Sequence, residues 1–468
     1  MFVALATLIG CKVGPEYQRP AAVPVGGATP AQFDGMTNAN WKTAEPQAHL
    51  ARGAWWELFA DAELNRLEGL AVAGNQDLAI FVARMAQAQA LTTVARSDLF
   101  PHLSAGAGYA RTRTSANEPE RGHAAGTGYD FNNFTVPLQA GWELDLWGRV
   151  RRQVEGAKAR GFAAQDELEA MRLSIQAEVA ADYFTLTFLQ AELKLLNQTV
   201  EAYRKSLELT RNRRQGGVAS DLDVSQAETQ LQSAEAQVPA TELQLAKMRH
   251  ALATLCGQPA TGFVVTLNAD DALNVPGVPM VIPSELLERR PDVAAAERRM
   301  AGANADVGIA KTAFYPRLRL QGMAGLQSVN AGTLFDWPSR YWAVGPSLDL
   351  PLFTGGRNKA QLAAARAAYD ETVAQYRRSV LGAIQEVEDQ LVARKLLSNQ
   401  LDSERAAMLA SRRTLEIANN RYRSGLVTYL EVATAQSAAL DRERSVVRLQ
   451  AEQINAAVAL VKALGGTW

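Results

Sequence analysis

The sequence predicts a mainly α protein that also carries membrane β, built as one unit repeated twice: a strand hairpin, then a long helical hairpin. Three observations predict it. The chain repeats itself at an offset of 208 residues. Two segments alternate strictly between apolar and polar residues. The stretch 149–211 contains no proline, heptad-like apolar spacing runs through 186–207 and 227–255, and 357–420 corresponds to the first stretch in the second half. The balance of the chain agrees with long helices: Ala, Gln and Arg are abundant and aromatics are few. A net charge of −1 gives no footprint for nucleic acid.

The repeat is read from matched residues. "NRRQGGVASDLDV" at 212–224 aligns with "NRYRSGLVTYLEV" at 420–432. The same offset pairs Gly148-Arg149 with Gly356-Arg357, Glu178-Val179 with Glu386-Val387, and Gly257 with Gly465. Upstream, "LFPHL" at 99–103 matches "FYPRL" at 314–318 at a slightly different offset, so a length change lies between the matches. Each half reads as a lead-in helix, two strands, a long helix, a Gly-containing turn and a second helix.

The strands come from period two. In "FTVPLQAGWELDL", Phe134, Val136, Leu138, Ala140, Trp142, Leu144 and Leu146 share a face, opposite Thr135, Gln139, Glu143 and Asp145. In "YWAVGPSLDLPL", Trp342, Val344, Leu348, Leu350 and Leu352 oppose Ser347 and Asp349. Partner strands are expected near 102–114 and 317–328, the latter with Arg317 and Arg319 on the polar face. One oily face, aromatics near the ends and charges opposite suit a lipid-facing sheet with a wet lumen. A soluble hairpin on a core is the competing reading. Strands exposed to lipid must belong to a closed barrel, because an open edge leaves backbone groups unpaired. Four strands cannot close one, since barrels start at about eight. Three chains would supply twelve.

The helices come from steps of 3 and 4. Leu186, Leu189, Leu193, Leu196, Val200, Tyr203 and Leu207 form one seam, and Ala227, Leu231, Ala234, Val238, Leu245, Met248, Leu252 and Leu255 a second, with Thr241 at the missing step. The longer helix would run roughly 95 Å. Pro239 should loosen or kink its helix. Gly217 and Gly425 fit the positive-φ position after a helix, Asp221 an N-cap, and Thr428 the matching place in the second half. Cys256, in "LATLCG", reads as a small core residue.

The N-terminus carries its own signal. "MFVALATLIG" is too short to span a bilayer but resembles the apolar core of a secretory leader. It lacks the Lys/Arg residues that should precede such a core, which predicts a start further upstream or a trimmed leader. "LIGC" has the lipobox pattern, so Cys11 is expected to carry a thioether-linked diacylglycerol and become the anchored N-terminus. Lys12, in place of Asp, favours outer membrane sorting by analogy with bacterial lipoproteins.

Enzyme chemistry finds no support. There is no nucleophile–base set, phosphate loop or metal spacing. His49, His102, His123 and His250 are scattered. The pair Glu143/Asp145 is better read as lumen lining, together with Arg317, Arg319 and Asp349.

Taken together, "CKVGPEYQRP", "WWELFADAELNRLEGLAVAGNQDL", "FPHLSAG", "LDLWGR", "RRPDVAAAERRMAGANADVGIAKTAFYPRL" and "RYRSGLVTYLEVATAQ" resemble the outer membrane factor family, the TolC-like export ducts, in its NodT-type lipoprotein branch. The resemblance covers essentially residues 11–466. It implies a homotrimer in which a twelve-stranded β-barrel in the outer membrane continues into a twelve-helix periplasmic α-barrel. It implies the passive duct of a tripartite efflux pump for drugs or other toxic small molecules. Its partners would be a periplasmic adaptor (membrane fusion protein), an inner membrane transporter of the RND class, and outer membrane lipid. No metal or cofactor is expected beyond the lipid on Cys11. The expected division is a leader remnant at 1–10, a lipid-anchored extended segment at 11–54, a first repeat at 55–257, an equatorial connector at 258–284 and a second repeat at 285–465. The β-hairpins are expected at about 100–147 and 316–353, and the helical hairpins at about 149–257 and 357–465.

The family closes its pore at the periplasmic tip. Leu430 matches the apolar gate position, whereas Thr434 stands where an acidic residue is usual; Asp221, Asp223 and Glu431 are the nearby carboxylates. Adaptor docking carries over to Gly217, Val218 and Ala219, and to Ser424, Gly425 and Leu426. Two alternatives remain at this point: a duct for type I protein secretion, and a periplasmic coiled-coil scaffold lipoprotein.

Overall fold

The computed structural model describes residues 12–21, 53–117, 128–267 and 290–466. Cys11, the 1–10 leader, most of the 11–54 segment with His49, the loop around His123 and most of the 258–284 connector lie outside the described residues. Helices α1 (Ala62–Gly74), α2 (Gln76–Ser97), α3 (Arg149–Gln215), α4 (Asp221–Leu255), α5 (Pro291–Thr312), α6 (Arg357–Arg423) and α7 (Tyr429–Ala463) accompany strands β1 (His102–Ala105), β2 (Gly108–Arg113), β3 (Asp130–Leu144), β4 (Arg317–Ser328) and β5 (Arg340–Asp349). The duplication is metrical. Helices α3 and α6 both have 67 residues, and α4 and α7 both have 35. Gly148 and Gly356, Gly217 and Gly425, and Gly257 and Gly465 all hold positive φ at matching places.

Two compact units are present, and each draws on both sequence halves. One takes Met1–Pro20, Arg84–Ala164 and Ala296–Tyr376; the other takes Ala21–Ala83, Gln165–Ala295 and Arg377–Trp468.

The first unit holds the sheet. Its order is β1/β2–β3–β4–β5, antiparallel throughout. Strands β1 and β2 are one strand in one register: Ala105 lies opposite Leu138 and Gly108 opposite Thr135. The gap falls at Pro137, which has no N–H to donate to the ladder, although Gly106 still donates to the Pro137 carbonyl at 3.0 Å. The sheet therefore has the expected width of four strands. Two of its strands end earlier than the alternation suggested. Strand β3 stops at Leu144 and β5 at Asp349, so Leu146, Leu350 and Leu352 lie beyond the sheet. Leu103, Tyr109, Leu138, Trp342, Val344 and Leu348 share one face, and all are exposed. That excludes a soluble hairpin whose oily face covers a core. Twelve residues of β4, tilted as in membrane barrels, rise about 30 Å, enough for a bilayer core.

The motif "KVGPEYQRP" is a strap on this unit. Val13 N–H donates to the Trp147 carbonyl at 3.0 Å. The wholly buried Arg152 donates to the Pro15 carbonyl at 2.8 Å and to Glu155 at 3.1 Å. Asn304 donates to the same Pro15 carbonyl at 3.1 Å, and Arg19 pairs with Glu297. Gly14 needs to be glycine: its φ is +108°, and a Cβ there would come within 2.7 Å of the Gly308 Cα. Trp147 closes the base by donating to the Pro316 carbonyl at 2.8 Å.

The second unit holds the helical hairpins. Leu196, Val200, Tyr203 and Leu207 are buried, as are Ala227, Leu231, Ala234, Thr241 and Leu252, so Thr241 does occupy the missing seam step. Leu189, Leu193, Val238, Leu245, Met248 and Leu255 are half-buried. Helix α4 continues through Pro239 from Asp221 to Leu255. Cys256 is buried and free, its thiol donating to the Leu67 carbonyl at 3.6 Å, and burial pushes its pKa up to about 11. The family motifs find local reasons here. Asp61 caps α1 and accepts from Tyr183 OH at 2.7 Å, while Phe59 packs on Phe184. Arg290 of "RRPDV" ties Asp292, Glu386 and the Ala463 carbonyl together.

Candidate functional site

The helical hairpins end in two turns of the same design. At each, the glycine N–H bonds three residues back and the next N–H five residues back: Gly217 to Arg214 and Val218 to Arg213, then Gly425 to Tyr422 and Leu426 to Arg421, all at 2.9 Å. This is the Schellman stop, and it requires the φ of +72° and +74° that Gly217 and Gly425 supply. In that motif the residue after the glycine commonly packs back on its helix. Here Val218 and Leu426 instead stand 67% and 70% exposed. Ser424 is exposed and Ala219 half-buried. The six residues expected to dock an adaptor therefore form two glycine turns, each with an uncovered apolar residue.

The restart of the second helix differs from expectation. Ser220, not Asp221, is the N-cap of α4, in a capping box with Asp223. Asp221 is the first helical residue and pairs with Arg214 at 2.5 Å. Thr428 occupies the cap position of α7 but makes no side-chain cap bond. Asp223 serves instead: its second oxygen accepts the Tyr429 N–H at 3.1 Å. Burial opposes its ionisation, but hydrogen bonds from Ser220 and Tyr429 and the Arg213 charge outweigh that and hold its carboxyl below the ordinary value.

Around Asp223 lies a tie between the two hairpins that the sequence reading missed. Arg213 donates to the Arg423 carbonyl at 2.8 Å and covers the Tyr422 ring at 4.8 Å. Tyr422 OH donates to Thr210 Oγ1 at 3.2 Å, and Tyr429 OH to Gln436 at 3.1 Å. The two rings meet edge-on. The signal was present as aromatic residues flanking the second turn, but nothing local said they would face the first hairpin. Of the expected gate residues, Leu430 is 57% exposed and Thr434 bonds back to the Leu430 carbonyl at 2.8 Å. Glu431 lies 3.7 Å from Arg421. Each exposed tip carboxylate thus has an arginine beside it.

In the other unit, the polar sheet face carries Glu143, Arg317, Arg319 and Asp349. Register sets Glu143 opposite Arg319 and Arg317 opposite Asp349. Asp145 departs from its expected place on this face. It lies past the strand end, accepts the N–H groups of Val150 and Arg151 at 3.1 and 2.9 Å, and so caps α3, where a helix N-terminus favours an anion. Glu143 is held by Arg149 in a fork of 2.6 and 3.0 Å. A recess of about 1330 Å³ opens here, lined among others by His102, Gln139, Glu143, Arg149, Arg319 and Gln321.

A family model described as "Outer membrane efflux protein" matches residues 67–258 and 282–466. The chain is 33% identical over 459 residues to the probable efflux pump outer membrane protein TtgC of Pseudomonas putida, covering 98% of this chain and 93% of that one. It is 32% identical over 479 residues to the outer membrane protein OprJ of Pseudomonas aeruginosa, covering 100% and 95%. The solved structure of the outer-membrane channel OprN superposes with a TM-score of 0.86 at 31% identity, over 98% of this chain and 100% of that one.

Proposed function

The chain belongs to the outer membrane efflux protein family, and from that premise we propose how its parts serve transport. The protein is an outer membrane channel of a tripartite efflux pump, extends into the periplasm, and is a passive duct with no catalytic task.

The pore is shared by three copies. One observation carries this: the exposed oily face belongs to a sheet whose two outer strands, β1/β2 and β5, have no further partner among the described residues. Lipid does not tolerate such edges, and three sheets of four strands close a twelve-stranded barrel. Uncovered Ile80, Val82, Leu91 and Val94 on α2 add apolar surface for neighbouring copies. Glu143, Arg317, Arg319 and Asp349 then line the lumen. Cys11 carries the lipid.

The hairpin tips meet the pump. Gly217, Val218 and Ala219, with Ser424, Gly425 and Leu426, dock the tips of a periplasmic adaptor, which couples the duct to an RND-type transporter. Leu430, Thr434, Asp221 and Glu431 form the periplasmic constriction, and Asp223 holds the hairpins together beside it. The cargo is small toxic organic molecules, and its selection rests with the transporter. Light scattering of the detergent-extracted particle, with detergent subtracted, tests the assembly. A protein mass of three chains supports it, and a monomer stable without detergent overturns it.

A further inference from the structure

On the polar face of the sheet, Arg319 makes no ion pair among the described residues. Arg319 stands directly across from Glu143 on the neighbouring strand and from Ser347 on the other side. Side chains opposed in this way lie about 5 Å apart at Cβ, so Glu143 is the default partner for the guanidinium. Glu143 is taken instead by Arg149, which forks onto both carboxylate oxygens from the first turn of α3. The other carboxylates near the base are also placed elsewhere. Asp98 accepts from Gln153 at 3.0 Å, Asp145 caps α3, and Asp349 stands across from Arg317 rather than Arg319, with no ion pair to either. Among the described residues, no carboxylate lies within ion-pairing distance of Arg319, which is exposed. It projects into the recess of about 1330 Å³ beside the neutral hydrogen-bonding groups of Gln139, Gln321 and Ser347.

We propose that Arg319 is an anion-holding residue of the channel wall, taking the carboxylate, sulfonate or phosphate group of an organic anion in transit. The inference rests on the reading that this sheet face lines the lumen. Its chemistry is that of a planar fork with five N–H donors, which matches such groups in pairs of parallel hydrogen bonds. Arg149 supports it by removing the competing carboxylate. Glu143 thus sets the strength of the site from the opposite side: if it were neutral, Arg149 would be released and the recess would gain a second cation. In a threefold barrel the site occurs three times at one level, giving a cationic ring.

The test uses the purified full chain in detergent at low salt, with the trisulfonated dye pyranine as the probe and fluorescence anisotropy as the readout. The wild type should bind saturably and lose binding as salt rises. Arg319→Gln should bind about tenfold more weakly or worse, the loss expected for a charge-assisted bond, while Arg319→Lys should retain most of the affinity. Glu143→Gln should bind more tightly than the wild type. Equal binding by wild type and Arg319→Gln, or none by the wild type, overturns the proposal. A second measurement separates this from the lumen reading. Arg319→Cys in planar bilayers is treated with a membrane-impermeant sulfonated methanethiosulfonate, the unsubstituted protein serving as control because Cys256 is buried. If modification leaves conductance unchanged, the lumen reading fails and the proposal with it. If conductance falls while pyranine binding ignores Arg319, only the anion site fails.

Discussion

Glu68 offers a measurable consequence of burying an acid without a partner. It sits on α1 with no exposed surface, and neither carboxylate oxygen has a hydrogen-bond partner among the described residues. Burial pushes its pKa from 4.5 up to about 9. At neutral pH the folded chain keeps a proton that the unfolded chain releases. The folded state is therefore penalised progressively as pH rises from about 4.5 to about 9, and stability is fully present only below that window. At about 1.4 kcal/mol per pH unit, the penalty is about 3 kcal/mol at pH 7 and grows by about 4 kcal/mol between pH 5 and pH 8. Glu68→Gln is nearly isosteric with the neutral acid and does not ionise, so it should match the wild type near pH 5 and exceed it at pH 8. With the unfolding entropy typical of a chain of this length, 1 kcal/mol moves Tm by about 1 °C, so the gap at pH 8 should be about 4 °C. Thermal unfolding in detergent, followed by circular dichroism across pH 5 to 8, reads it. The titration of Asp182, raised to about 6 by burial and by Glu178, is common to both proteins and cancels in the comparison. Parallel pH profiles for wild type and Glu68→Gln would refute the reasoning, as would a variant that is less stable at pH 8.

Three further outcomes are expected. Asp223→Ala removes the capping box and the acceptor for Tyr429 N–H; it should cost about 1–2 kcal/mol locally and speed hydrogen exchange at 220–224 and 429–432 several-fold, measured by mass spectrometry. Gly425→Glu places a charged side chain on a φ of +74° in an open turn; trimers should still assemble by light scattering, while efflux in a complemented strain should be lost, and normal efflux would remove the docking role of this turn. Arg152→Met keeps bulk but removes the donors to Val13, Pro15 and Glu155; limited proteolysis should then cut within 12–20 while the sheet resists, whereas an uncut strap would show that Arg152 does not hold it.

Much of this protein was legible without coordinates because its information is periodic. The 208-residue offset, the steps of 3 and 4, and the alternation along the strands are local patterns, and each follows from the geometry of one element. They account for the starts of the two long helices and for their ends to within four residues, for the glycine stops, the buried Thr241 and the oily sheet face. The places where reading failed share a cause. Asp145 alternates correctly but belongs to the next helix, because a helix N-terminus competes for a carboxylate more strongly than a strand position holds it. The sequence pattern points to Asp221 as a cap, but Ser220, one residue away, provides it. Pairing across the chain was invisible: nothing near Arg213 in sequence announces the Arg423 carbonyl, and nothing near Arg149 announces that it deprives Arg319 of Glu143. Sequence alone determines the elements, their repetition and which faces are apolar, since those depend on backbone period and hydrophobicity. Only the tertiary structure decides which charge is satisfied by which, since an ion pair forms with the partner that packing brings closest, whatever its separation along the chain.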